Sequence, residues 1–287
     1  MESFKDSFAI KKQGSLVIEN FGGYEERHES TQALILAAIT EFQVPDFDWI
    51  IVNTTDRPIA QNGEVPIFNY STTTKSFDTC CPDFVFHRWR PSIEDYEQTR
   101  LWLRSFDAEP TSDALGWRGA LTHPSRWLFL ARCIDTSYPS FCTDQTFDCC
   151  MIQWDQIDPN TQMPRHFVSL EDQIRNWRFH LDIEGTGYSG RLKLLLSSPR
   201  VVLIQSRPFE EFFFSELIPW VHYVPVERDF SDLVRNLEIL RANPALETSI
   251  INNARQFADR HLTRYAAIRR WASILEQRGR DSVAAAA

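Results

Sequence analysis

The sequence predicts an α/β protein made of two Rossmann-like domains facing a central cleft. Three observations lead there. The 287 residues suffice for two modest cores. Short β-branched apolar runs alternate with helical segments. The alternation occurs in two blocks, separated by a Pro- and Asp-rich stretch at 108–113 that reads as a connection.

In the first block, Thr31–Phe42 (TQALILAAITEF) has the apolar spacing of a helix, with Ser30 or Thr31 as its cap. Asp48–Asn53 (DWIIVN) is continuously apolar, as expected of a parallel strand buried on both faces. It runs into the polar loop Thr54-Thr55-Asp56-Arg57-Pro58, at the strand's carboxyl end, where open α/β sheets bind ligands; this singles out Asp56. Val65–Asn69 is a second short strand, and Ser92–Leu103 a helix capped by Ser92 with acids in its first turn. In the second block, Ala114–Arg118 reads as a strand and Pro124–Arg132 as a helix opening on proline. Residues 134–166 carry no clear pattern. A βαβ series follows: Phe179–Ile183 (strand), Ser189–Leu196 (helix), Arg200–Ile204 (strand), Pro208–Phe214 (helix) and Val221–Val224 (strand). Helices over Ser231–Arg241, Ala245–His261 and Thr263–Gln277 complete the chain, with Ala284–Ala287 as a frayed tail. The expected domains are 1–108, 109–262 and a C-terminal helical segment, 263–287, packing back on the first.

A formal charge of −9 and a pI near 5.3 argue against a partner held by phosphate-backbone attraction, so no nucleic-acid partner is expected. The N-terminal residues contain no signal-peptide hydrophobic region, and no window reaches the ~18 uninterrupted apolar residues of a membrane span, so a soluble, cytoplasmic protein is expected. The six cysteines, at 80, 81, 133, 142, 149 and 150, read as reduced thiols, and their adjacent pairs lack the two-residue gap of a zinc site. The chain is rich in aromatics, which serve cores and sugar stacking alike.

Leu181–Leu196 (LDIEGTGYSGRLKLLL) is the most informative segment. A strand leads into a loop with Gly185, Gly187 and Gly190, then a helix start bearing Arg191 and Lys193. Glycines admit an anion close to the backbone, and a guanidinium takes two phosphate oxygens; glycines also open helices for packing alone. A second basic turn, WRGALTHPSR, places Arg118 and Arg126 between a strand and a helix, as half of a diphosphate clamp or as partners of surface acids. Asp46-Phe47-Asp48 spells a metal-binding Asp-x-Asp but precedes its strand, and reads as a solvated strand entry. Asp182 and Glu184 form a similar pair on one strand face. Asp229, placed just before Ser231, suits a loop or cap role.

The run HLDIEGTGYSGRLKLLLSSPRVVLIQ, followed by EEFFFSELIPWVHYVPVERDFSDLVRNLEILRANP and NARQFADRHL, resembles the capsule-associated, lipopolysaccharide-modifying glycosyltransferases, which include the Rumi-type protein O-glucosyltransferases and fungal capsule xylosyltransferases. WRGALTHPSR and IIVNTTDRP resemble further family segments, extending the likeness over about Asp48 to Leu262. The resemblance implies a GT-B fold, a UDP-sugar donor, inversion at the anomeric carbon and no metal or other cofactor. It implies Asp56 as the general base, Arg126 and Arg191 as donor-binding arginines, Ser189 at the diphosphate or sugar, and Glu211 at the ribose; Arg118 and Gly187 join the expected donor-binding set from the basic turn and the glycine-rich loop read above. Where the family has Ser and Arg, this chain has Ala120 and Leu121, a departure that puts phosphate contacts and donor choice in question.

The expected function is therefore transfer of xylose, or else glucose, from a UDP-sugar to a hydroxyl of a glycan acceptor. The donor belongs in 109–262 and the acceptor over 1–108. Trp89, Trp102 and Trp117 are sugar platforms or core residues. A non-catalytic carbohydrate- or nucleotide-binding protein and a UDP-sugar hydrolase are the alternatives on the same fold.

Overall fold

The computed structural model describes residues 4–61, 63–74, 77–134 and 147–286. In chain order the first elements are β1 (Ser7–Gln13), β2 (Ser15–Asn20), α1 (Glu25–Phe42), β3 (Phe47–Asn53), β4 (Ile67–Phe68), α2 (Tyr96–Ser105), β5 (Ser112–Gly119), α3 (Pro124–Ile134) and β6 (Phe147–Met151). Then come β7 (Gln153–Ile157), β8 (Pro164–Arg165), α4 (Leu170–Asn176), β9 (Trp177–Asp182), α5 (Leu192–Leu195), β10 (Val201–Gln205), β11 (Val224–Val226), α6 (Leu233–Ala242), α7 (Pro244–His261) and α8 (Arg264–Ala286). The fold is α/β, and the chain divides into two compact units. One comprises Met1–Thr99, Pro208–Glu216 and Arg260–Ala287; the other, Arg100–Arg207 and Leu217–Asp259.

The first unit holds a mixed four-stranded sheet ordered β2-β1-β3-β4. β1 and β2 form a hairpin through Gly14, whose φ of +69° suits glycine. β3 runs antiparallel to β1 and parallel to β4, so the parallel neighbourhood expected of DWIIVN exists on one side only. α8 packs on α1 and β3. Phe8, Ile10, Leu34, Ile35, Ile50 and Val52 are buried; each such side chain contributes roughly 1.5–3 kcal/mol relative to exposure. α1 starts at Glu25, ahead of the expected Thr31, with two glutamates in its first turn favouring the helix dipole. Ser30 and Thr31 are thus interior; the Thr31 hydroxyl lies 2.6 Å from the Tyr70 hydroxyl, and Tyr24 at the cap makes no side-chain bond. Asp95, not Ser92, caps α2, its Oδ1 accepting from the Gln98 N–H at 2.8 Å.

The second unit holds a five-stranded, all-parallel sheet ordered β11-β10-β9-β5-β6 and a separate β7-β8 ribbon. Leu115, Phe179, Leu181, Val201, Leu203 and Val224 form its core with Leu233 and Leu237 of α6. Three expected elements differ. Residues 208–214 form no helix: Glu210 bridges Thr72, Phe212 lies 6.0 Å from Phe86, and a 3₁₀ turn covers Phe214–Glu216. The strand placed at Val221–Val224 is Val224–Val226, because Trp220 at φ +61° turns the chain first. The helix placed at Ser189–Leu196 is the single turn α5, bounded by Gly190 and by Ser197-Ser198-Pro199. The expected tail is instead helical to Ala286, in keeping with alanine's high propensity. Among the described residues, no helix is long and apolar enough to cross a membrane.

Candidate functional site

The parallel sheet of the second unit ends at Gly119, Asp182, Gln205 and Val226. The loops beyond these ends carry most of the residues singled out above. Asp182, the last residue of β9, is fully buried. Its Oδ1 accepts from the Ser189 hydroxyl at 2.6 Å and lies 3.7 Å from Arg191 Nε, while Oδ2 accepts from Arg207 Nη2. Arg191 Nη1 donates to the Arg118 carbonyl, and Nη2 is buried with no partner. Burial pulls Arg191 below the usual guanidinium range, Asp182 opposes the shift, and Arg207 adds to it. The same surroundings push His180 down to about 3, through burial first and then the charges of Arg191 and Arg200.

Trp117 lies beside two of the basic groups. The Arg126 and Arg191 guanidiniums lie 5.7 and 6.0 Å from its ring, and its own exposure is 1%. It is therefore a core residue and no open sugar platform. Its approach to the backbone needs Gly119, where a Cβ would sit 2.7 Å from the ring. Arg126 is tied to the adjacent loop, with Nε donating to the Glu184 carbonyl, Nη2 to the Ile183 carbonyl and Nη1 to the Ala120 carbonyl. Gly185 leaves room for this, since a Cβ there would lie 3.3 Å from Nη2. Arg118 donates to Asp148 Oδ1 at 2.6 Å and lies over the Trp177 ring at 4.9 Å. Glu184 is buried, accepts from the Ser125 hydroxyl at 3.1 Å and has Arg228 Nη2 at 3.4 Å. Gly187 is buried within the same loop.

In the first unit, Arg27 Nη1 donates to Asp56 Oδ1 and to the Thr54 carbonyl, each at 2.9 Å. The Arg27 guanidinium lies over the Tyr24 and Phe84 rings at 4.4 and 4.8 Å. Asn53 pins the loop beneath, donating to the Arg57 carbonyl and accepting from the Thr55 N–H. The Asp56 side chain keeps 32% exposure, so a carboxylate fixed on one oxygen still faces solvent. Asp46 accepts from Lys12 and from the Gly14 N–H, each at 2.8 Å, and Lys12 holds it below the usual carboxylate range; it anchors the hairpin turn.

Arg118, Arg126, Gly187, Ser189 and Arg191 thus belong to one unit, Asp56 to the other. Glu211 is buried in the first unit, where it and Arg270 both influence Cys80. Trp89 is half-buried and edge-on to Phe84 in the first unit. Trp102 belongs to the second, stacked on Phe106 with Arg175 over its ring. Asp229 is exposed and accepts from the Ser231 N–H, the turn role its position suggested. Cys80, Cys81, Cys149 and Cys150 are free thiols, the remaining described cysteine, Cys133, lies beside Cys149, and Cys142 lies outside the described residues. Among the described residues, no three His, Cys, Asp or Glu side chains are grouped to hold a metal ion.

Sequence reasoning missed Arg27 and Arg207 and set Asp182 aside as a false metal motif. For Arg207 a signal was present: it follows the apolar run VVLIQ as Asp56 follows DWIIVN. Arg27 gave none, being one charge in a charged helix start.

The sequence pattern described as "Glycosyl transferase family 90" matches residues 8–280. Protein O-glucosyltransferase 1 of Rattus norvegicus is 26% identical over 261 residues, covering 83% of this chain and 63% of that protein. The O-glucosyltransferase rumi homolog of Anopheles gambiae is 27% identical over 196 residues, covering 64% of this chain and 48% of that protein. Among solved structures, the C-terminal domain of a glycosyl transferase group 1 family protein from Francisella tularensis gives a TM-score of 0.36 at 11% identity, covering 62% of this chain and 96% of that one.

Proposed function

The chain belongs to glycosyl transferase family 90, and from that premise we propose that it transfers a sugar, xylose or glucose, from a UDP donor to a hydroxyl of a glycan acceptor, with inversion, on a GT-B arrangement and without a metal ion. The observation that carries the donor half is the buried basic cluster of the second unit. Arg191 and Arg207 share one carboxylate, Asp182, and Arg191 keeps a buried N–H without a partner. A buried group of two cations and one anion gains by admitting a further anion. In this reading the diphosphate is that anion. As the bond to the anomeric carbon breaks, charge grows on the leaving UDP, and guanidiniums already held in place stabilise it with little reorganisation. Asp56 takes the proton from the attacking acceptor hydroxyl. Arg27 fixes one of its oxygens and leaves the other for the proton.

The measurement is calorimetric titration with UDP, UDP-xylose and UDP-glucose in EDTA, followed by UDP release with and without a glycan acceptor. UDP and one donor bind despite the chelator. Asp56→Asn keeps UDP affinity and loses transfer, whereas Arg191→Ala loses both. Absence of binding by UDP and by every donor refutes the proposal. A second reading, a non-catalytic binding protein, is favoured by one feature: Leu121 packs on the apolar core and Ala120 offers only its carbonyl, to Arg126. Donor binding with no turnover on any acceptor would favour it.

A further inference from the structure

Asp182 and Arg207 meet through strand pairing. β9 and β10 run parallel with Ile204 opposite Asp182, so the residue two places beyond the end of β10 can reach back over the end of β9. Both side chains are almost fully withdrawn from solvent, at 0% and 1% exposure. Arg207 Nη2 donates to Asp182 Oδ2, and Arg207 Nε donates to the Gln205 carbonyl at 3.3 Å. The other carboxylate oxygen is capped by the Ser189 hydroxyl at 2.6 Å, which leaves Arg191 Nε at 3.7 Å, beyond hydrogen-bond reach. One buried anion thus has a strong cationic partner in Arg207 and a weak one in Arg191. Deprived of Arg207, it would be a buried charge with a single guanidinium nearby, and closing the remaining gap would turn its long ion pair with Arg191 into a hydrogen-bonded one.

We propose that Arg207 is a positioning residue for the donor site, which engages the charge of Asp182 so that Arg191 stays available to an anionic ligand. The inference rests on the reading of the basic cluster as a nucleoside diphosphate site. It assigns Asp182 two tasks, holding the Ser189 loop and balancing Arg207, and gives it no contact with the donor. Removing Arg207 then weakens the ligand through Arg191, and removing the charge of Asp182 in the same chain reverses the loss.

The test is UDP binding by calorimetry in EDTA for the full chain and for Arg207→Met, Asp182→Asn and the double variant, each checked for folding by thermal melting. Arg207→Met raises the Kd by at least about tenfold, equivalent to about 1.4 kcal/mol. Asp182→Asn, which removes a competing anion, tightens binding by about threefold. The double variant returns to within about threefold of the wild type. A purely structural pair would alter melting temperatures but would not let the second substitution rescue affinity. A folded Arg207→Met with wild-type Kd, or a double variant no tighter than that single one, overturns the inference. Should Arg207→Met fail to fold, weaker UDP binding by Asp182→Asn overturns it alone. Wild-type protein that ignores UDP removes the functional reading as well; wild-type binding that depends on Arg191 but not on Arg207 removes the inference only.

Discussion

Gly116 lies in the middle of β5, opposite His180 of β9 and Asp148 of β6. A methyl group added there would stand 1.8 Å from Cδ2 and Cε3 of Trp177. Carbon atoms settle at about 3.5–4.0 Å, so the indole must retreat by roughly 2 Å. Trp177 is buried at 1% exposure, donates Nε1 to Asp148 Oδ2 at 2.8 Å and carries Arg118 over its ring. A close-packed interior gives little room for that retreat. Overpacking costs about 1–3 kcal/mol and the broken hydrogen bond about 1 more, while the stiffer unfolded chain returns about 0.4–1. The net expectation for Gly116→Ala is a loss of about 1–3.5 kcal/mol, a melting temperature lower by roughly 3–12 °C. Urea titration should show the midpoint falling with an unchanged slope. UDP affinity should fall too, because Arg118 rests on the displaced ring. A folded Gly116→Ala that melts within about 2 °C of the wild type would refute the packing argument.

Two further outcomes follow from buried titratable groups. His180, pushed down to about 3 by burial and by Arg191 and Arg200, stays neutral in the folded chain where the unfolded chain takes up a proton. Its contribution to stability is therefore fully present above pH 6.5 and is lost as pH falls toward 3, at up to about 1.4 kcal/mol per pH unit. His180→Leu should flatten the change in urea midpoint between pH 7 and pH 5, and an unchanged slope would count against the assignment. Burial raises the Cys80 thiol to about 12 and lifts the Cys81 thiol well above its ordinary value. Iodoacetamide at pH 8 should leave both unmodified in native protein and alkylate both after denaturation, as read by mass spectrometry; alkylation of either at the denatured rate would contradict the burial.

The central strands of the second unit were legible in the sequence because they are short, rich in apolar residues and followed by glycine- or serine-bearing turns. VVLIQ carries four apolar residues in a row, and in WRFHLD the apolar Trp177, Phe179 and Leu181 alternate with polar residues. The first unit was less so. In SFAIKKQ-G-SLVIEN, lysines and glutamate dilute the apolar pattern, and the hairpin depends on Gly14 and on the Asp46 carboxylate contributed from far along the chain. α1 begins in charged residues, Glu25 to His28, which carry no apolar stripe; their role emerges only when Arg27 meets Asp56 and His28 meets Thr54. Local composition misled at FEEFFF, where aromatic side chains that suit a helix face pack instead as an extended bridge and a turn. Within the candidate site, Arg118 and Arg126 were nameable from a basic segment joining a strand to a helix, Arg191 from the glycine-bearing loop after a strand, and Ser189 from the family resemblance. The Asp182–Arg207 pair was not, since it spans 25 positions and is set by the register of two strands.

The second unit is inserted in the first. Apart from Pro208–Glu216, all of Arg100–Asp259 belongs to it, while the first unit resumes at Arg260. The resumption is stitched to residues made long before: the Tyr96 hydroxyl donates to the Leu262 carbonyl, the Arg264 N–H donates to Glu97, and α8 covers α1 and β3. On a ribosome adding about 5–20 residues per second, roughly 10–30 s separate the first half of that unit from the helix that closes it. Through this interval α1 and β3 lack the helix that packs on them, while all the strands of the inserted unit's parallel sheet emerge. The later-made unit thus has all of its strands before the earlier-made one receives its last helix.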